Sequence, residues 1–452
     1  MSHTDDHNRA EEVIGEVRQT LAFGDTAHIS DTLSGLHPAQ IADLLESLPT
    51  RERDELWRYI APELEGDVLT HIQDGVRTAL LEQMQPEQVA AVTKELETDD
   101  AADILQDLPH TVVDEVLQSL DAQNRSRIAS ALSYPEDTAG GLMNIDVVTV
   151  RSDVALETVI RYLRWQSKLP AKTDTLIVVD RDNKYLGLLP LTTVLCAAPE
   201  APVSQVMDTQ TEVIAVSTPS ADVAKLFEQR DLLSAAVVND HGQLLGRITV
   251  DDVVDVIRGQ SDHSLMSLAG LDEEDDMFAP VLTTTKRRAM WLGVNLATAF
   301  LAAWVIGRFE HTIEQLVALA ILMPVVASMG GIAGSQTLTI VIRALALGQV
   351  SGSNARALLF KELAVAVVNG LLWASVVGLI AFAWFGSLEL GAVFGAAILI
   401  NLFAAAFTGA LLPLSLKAMH IDPALAGGVI LTTVTDVVGF MSFLGLATLF
   451  LL

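Results

Sequence analysis

Hydrophobic positions divide this chain into two textures. From Ala289 onward, apolar stretches occupy 289–307, 316–342, 363–385, 390–416 and 424–452, each 19 to 29 residues long. About 20 consecutive apolar residues cross a hydrocarbon core, so the pattern predicts five membrane spans. The first 285 residues contain nothing comparable. Up to about residue 135 apolar residues recur at helical spacing and Pro marks the ends, which predicts helices throughout. "HPAQIADLLESLP" (37–49) is partly echoed by "TDDAADILQDLP" (98–109), and "QPEQVAAVTKEL" (85–96) repeats the opening of the first unit. Repeating short helices predict a small superhelix.

From about Gly141 strands alternate with helices. "DTLIVVDRDNKYLGLLPLTTVL" (174–195) and "SAAVVNDHGQLLGRITVDDVVDVI" (234–257) are two versions of one unit. Each has an apolar strand, a polar hairpin turn, a second strand and a helix. The spacing predicts an internal duplication of about 60 residues whose halves pack face to face. The expected divisions are a helical domain at 1–135, the two α/β units at 136–200 and 201–260, a connector helix at 261–285 and an all-α membrane domain at 286–452. The connector carries the acidic run Asp272-Glu273-Glu274-Asp275-Asp276, immediately before the first span.

Charge sharpens this picture. The chain has 28 basic and 57 acidic residues; those from 286 onward number 8 and 6, leaving 20 and 51, a net of −31, in the first 285. That argues against a nucleic-acid partner and suggests cations. A surface with so many carboxylates and only eight Lys equally fits a salt-adapted cytoplasm. The polar, acidic start "MSHTDDHNRAEE" is not a signal peptide, so the N-terminal part is expected in the cytoplasm. Seven of the eight basic residues from 286 onward flank that same side of the spans: Lys286, Arg287, Arg288, Arg343, Arg356, Lys361 and Lys417. Only Arg308 falls on the other. This asymmetry orients the N-terminus inside and, with five spans, the C-terminus outside. A single Cys, Cys196, excludes a disulfide framework or a multi-cysteine metal site.

The fifth span carries one ionisable side chain, Asp436. A carboxylate at that depth is costly unless it meets a partner or water. The second span, "PVVASMGGIAGSQTLTIVIRAL" (324–345), has three Gly among small and hydroxylated residues. Its glycines read either as close helix packing or as exposed backbone against a water-filled cavity. Taken with Asp436 they favour a conduit. The competing structural role for Asp436 is pairing with Gln336 or Thr337 of a neighbouring helix. Carboxylate, carbonyl and hydroxyl donors suit a hard cation such as Mg²⁺ or Ca²⁺, and no Cys or His lies in the spans. One Asp per chain is too few to strip an ion of water; two at a dimer axis would hold a hydrated one. Neither a catalytic constellation nor a phosphate-binding loop is found, so an enzyme or an ATP-driven pump is not expected.

The order of these parts resembles the MgtE family of magnesium channels, with paired CBS units between a helical domain and five spans. The carrying stretches are "DDAAD" (99–103), "AGGLM" (139–143), "GRITVDDVVDV" (246–256), "ASMGGIAGSQ" (327–336), "RALALG" (343–348) and "TDVVG" (435–439). The resemblance implies uptake of Mg²⁺ across the inner membrane by a homodimer whose pore lies between subunits, lined by the second and fifth spans. It implies that Asp436 binds the ion, with Thr432 one turn before it and Gly330, Gly331, Gly334, Gln336 and Thr435 lining the path. It further implies a plug helix in the connector and closure by cytoplasmic Mg²⁺, held by Asp99, Asp100 and Asp103 of the helical domain and Asp251, Asp252 and Asp255 of the second CBS unit. For Asp99 and Asp251, helix capping is the competing role.

This chain also departs from the family pattern. Arg258, Gln260, His263 and Ser264 stand where the connector is usually acidic, which predicts weak closure or a role for Asp272–Asp276. Ile332 stands where Asn is common. The first CBS unit has Pro190 and Thr193 in place of the usual Ser/Thr and ribose-holding Asp, which argues against the ATP binding known for relatives; the second keeps Thr249 and Asp252. Two other functions compete: a proton-coupled divalent-cation transporter using Asp436, and a non-conducting sensor.

Overall fold

The computed structural model describes residues 15, 17, 20, 26–166, 169–170, 172–271, 276–350, 354–419 and 421–452. Two compact units result: Met1–Ser261 with Glu274–Pro280, and Asp262–Glu273 with Val281–Leu452.

The first unit opens with helices α1 (Thr26–Ser34), α2 (Pro38–Glu46), α3 (Thr50–Trp57), α4 (Pro62–His71), α5 (Asp74–Leu81), α6 (Pro86–Glu95), α7 (Thr98–Gln106), α8 (His110–Ser119) and α9 (Ala122–Ala131). The repeat visible in the sequence is a repeated start signal. At α2 the Gln40 side chain accepts the His37 N–H at 3.0 Å, and at α6 Gln88 accepts that of Gln85 at 2.9 Å. Each start thus satisfies an orphan donor with Pro at the first helical position. The inner faces share one core containing Ile41, Leu45, Leu48, Leu56, Leu69 and Leu105. Burial of each contributes about 1.5–3 kcal/mol.

The α/β part follows as α10 (Ala139–Leu142), β1 (Thr149–Arg151), α11 (Leu156–Gln166), β2 (Thr175–Val179), β3 (Tyr185–Pro190), α12 (Leu191–Cys196), α13 (Val203–Val206), β4 (Val213–Ala215), α14 (Ser220–Arg230), β5 (Ser234–Val238), β6 (Leu244–Thr249) and α15 (Val250–Leu268). Its two three-stranded sheets have the same order, β1-β2-β3 and β4-β5-β6, each with one parallel and one antiparallel pair. Both slip register at the same place, Val178/Val179 and Val237/Val238. The halves pack through Ile177, Val179, Leu188, Ala236 and Leu244. Among the described residues of the expected connector at 261–285, α15 runs on to Leu268, and the next helix begins at Val281. Asp272, Glu273, Glu274 and Asp275 of the acidic run lie outside the described residues.

Among the described residues of the second unit, five helices are long and apolar enough to cross a membrane: Val281–Gly307, Ala318–Ala346, Ala355–Phe385, Leu388–Ala418 and Pro423–Phe450. The fourth span is the most enclosed, packing against the second, third and fifth, whereas the first leaves most of its surface outward. The arrangement is that of a multi-pass membrane protein.

Candidate functional site

In the span unit, a groove of about 640 Å³ is lined by Gly331, Ile332, Ser335, Gln336, Thr339 and Ile340 of the second span and Thr432 of the fifth. Ser335, Gln336 and Thr339 are exposed on the surface of the bundle. A polar stripe on a membrane helix is costly against lipid and is retained where it meets protein or water. Asp436 lies one helical turn beyond Thr432, on the same side of its helix. It is half-buried, and among the described residues no hydrogen bond or ion pair engages its carboxylate. Neither residue weighed as its structural partner holds it. Gln336 lines the groove, and the Thr337 hydroxyl donates instead to Glu362 at 3.4 Å.

The residues expected along the path divide into two sets. Gly331, Gln336 and Thr432 line the groove. Gly330, Gly334 and Thr435 are buried inside the bundle. A Cβ on Gly330 would lie 2.2 Å from Asn401 Nδ2, and one on Gly334 would lie 2.8 Å from Leu431 Cδ1. Thr435 donates to the Thr432 carbonyl at 3.0 Å. Ile332, in the place of the usual Asn, is exposed at the groove.

In the first unit, α7 and the start of α15 bring acidic side chains together. Carboxylate oxygens of Glu97, Asp99 and Asp100 lie within 4.8 Å of one another. Asp99 is buried, and its Oδ1 has no partner among the described residues. Burial, then the charges of Asp252, Asp100 and Glu97, push its pKa well above the usual carboxylate range. Asp100 is raised to about 6 by burial and by Glu97, Asp251 and Asp255 against the opposing Lys172. Asp252 is raised to about 7 by burial, Asp251 and Asp100, although it accepts the Thr249 N–H at 3.0 Å and the Thr249 hydroxyl at 3.0 Å. Asp252 thereby caps α15. Glu97 holds the N-cap position of α7, so Asp99 is not its cap. Asp251 is also buried in part, but the Lys172 ammonium and the Thr249 hydroxyl hold it below the ordinary range.

Asp103 sits to one side, raised to about 8 by burial, with Arg77 opposing and Glu136 adding to the shift. Asp255 is raised by burial against the fields of His71 and Arg258. Mutually repelling carboxylates and an orphaned buried oxygen are a donor set that fits a hard divalent cation.

Glu97 and Lys172 are absent from the sequence-derived set. Glu97 was legible as the first acid of the "ETDD" run; Lys172 was not, because its approach depends on a left-handed turn at φ 53°. The connector carries further contacts. Arg53, 1% exposed, donates to Asp276 through Nη1 at 2.7 Å and Nη2 at 3.0 Å and is itself anchored on the Leu45 and Leu48 carbonyls. Beside it the Thr50 hydroxyl donates to the Phe278 carbonyl at 3.0 Å. In the span unit, His263 Nε2 lies 3.1 Å from Asp422 Oδ2, at the N-cap of the fifth span.

Residues 323–446 match the MgtE family model, a divalent cation transporter, residues 36–137 match the MgtE intracellular N domain, and 139–200 and 203–259 match CBS domains. The chain belongs to the MgtE family. It is similar to the magnesium transporter MgtE of Thermus thermophilus, 29% identical over 447 residues, covering 98% of this chain and 99% of that protein. The magnesium transporter MgtE of Bacillus subtilis is 24% identical over 441 residues, covering 98% of each. The crystal structure of the cytosolic domain of the Mg²⁺ channel MgtE in complex with ATP is 28% identical with a TM-score of 0.50, covering 54% of this chain and 99% of that one.

Proposed function

We propose that this protein is a Mg²⁺-selective channel for uptake across the inner membrane, with its pore between two copies of the chain. The observation that carries this reading is the groove with its exposed Ser335, Gln336 and Thr339 and the unpartnered Asp436 beside Thr432. A second copy across it would shield the polar stripe from lipid and bring two Asp436 carboxylates to one axis, sufficient to hold a hydrated Mg²⁺. The names of the similar proteins supply the ion. The positive-inside asymmetry supports a cytoplasmic first unit and a C-terminus outside.

We further propose that cytoplasmic Mg²⁺ closes the path by binding Asp99, Asp100, Asp251 and Asp252, with Glu97 completing the set and Asp103 and Asp255 flanking it. Cation bound there would favour the arrangement in which α7 and α15 meet. Bound nucleotide is a second candidate regulator, from the ATP complex of the similar cytosolic domain. The first CBS unit lacks the ribose carboxylate, and Asp252 of the second is already engaged with Thr249, so ATP is not required by this reading.

The test is Mg²⁺ flux into proteoliposomes at low and millimolar internal Mg²⁺, for wild type and Asp436→Asn. Flux that needs Asp436 and stops at high internal Mg²⁺ supports both proposals. Full flux through Asp436→Asn would sink the pore assignment. Flux that follows a proton gradient in place of voltage would make the protein a coupled transporter.

A further inference from the structure

Asn401 lies in the middle of the fourth span and is fully buried. Its Nδ2 donates to the Val326 carbonyl of the second span at 2.8 Å, and its Oδ1 has no partner among the described residues. The amide lies where two glycines leave room. A Cβ would come within 2.2 Å of Nδ2 at Gly330 and within 2.7 Å at Gly439. Gly330 precedes the groove-lining Gly331, and Gly439 follows Asp436 by three residues. One polar side chain therefore touches both spans that carry the groove.

An apolar residue of the same shape would fill this space without burying an unpaired amide oxygen, at the cost of one interhelical hydrogen bond to Val326. An amide kept at this depth with half of its hydrogen-bonding capacity unused points to a demand other than packing. We propose that Asn401 is a positioning residue for cation passage. Seated between Gly330 and Gly439 and tied to Val326, it sets the separation of the second and fifth spans, and with it the placement of Asp436 relative to Gln336 and the rest of the groove. This rests on the channel reading. A hydrated ion is discriminated by the spacing of its ligands, so a change in that separation alters selectivity before it alters folding.

The experiment compares wild type, Asn401→Leu, Gly330→Ala and, as a control, Gly445→Ala, whose added methyl meets nothing within 4 Å. For each, Mg²⁺ and Ca²⁺ fluxes in proteoliposomes are measured beside the melting temperature of the purified protein. Asn401→Leu is expected to melt near wild type, to lose Mg²⁺ flux about three- to twentyfold, the range one interhelical hydrogen bond supports, and to shift the Mg²⁺-to-Ca²⁺ ratio. Gly330→Ala should shift that ratio too, and Gly445→Ala should leave it unchanged. If Asn401→Leu gives no folded protein, Gly330→Ala carries the same comparison. Wild-type flux and ratio in Asn401→Leu would overturn the proposal. So would a flux that falls only in step with the amount of folded protein at an unchanged ratio. Absence of Mg²⁺ flux in wild type would overturn the channel reading beneath it.

Discussion

Lys172 supplies an ammonium to a cluster that otherwise holds only carboxylates, pairing with Asp251 and opposing the raised pKa of Asp100. It stands as a tethered counter-ion where a dissolved cation would otherwise do all the neutralising. Lys172→Met is expected to tighten Mg²⁺ binding about two- to fivefold, the range a partly exposed ion pair supports. Calorimetric titration of the purified chain checks this, and an unchanged affinity would remove the lysine from the site. At this scale the sequence was informative about residue type and less so about direction. Asp436 and the "DDAAD" acids were legible because charge in an apolar run, or massed on one short helix, is costly and visible. That Gly330 and Gly334 face inward while Gly331 faces the groove depends on the rotation of one helix against its neighbours. Asn401 was not singled out by the sequence; its contacts with two glycines far away in the chain are a tertiary fact.

Between elements, the meeting of α7 with α15 determines the pH response. Asp100, Asp252 and Asp103 titrate at about 6, 7 and 8, against an ordinary 3.8. The folded unit therefore holds more protons than the unfolded chain between these limits. Its cation-free stability is greatest at the acid end of that window and falls as pH rises through it. Thermal melts of the purified chain in chelator at a series of pH values should show this decline, and Mg²⁺ should flatten it. A melting temperature that rises from pH 5 to pH 8 in chelator would contradict the clustering. The elements themselves were largely legible: spans from hydropathy, the paired sheets from a repeated strand-turn-strand pattern, and helix starts from Pro with Gln two residues later. The connector was not. Its first residues prolong α15, with no Pro between Arg258 and Leu268 to stop the helix, and Asp276 is fixed by Arg53 from outside the segment together with the Phe278 N–H.

For the whole molecule, the channel reading proposed above expects a second copy of the chain to cover the groove. In a Cys196→Ser background, Ile332→Cys is expected to yield a covalent dimer with a short bifunctional maleimide in native membranes. Monomer alone, with the thiol shown reactive, would place the groove against something other than a second copy. The clamp between α3 and the connector sets a limit of a different kind. Thr50 holds Phe278, and the helix of the first span begins at Val281, three residues later. Phe278 therefore moves with α3, or α3 tears Arg53 from Asp276 and leaves both charges to find water.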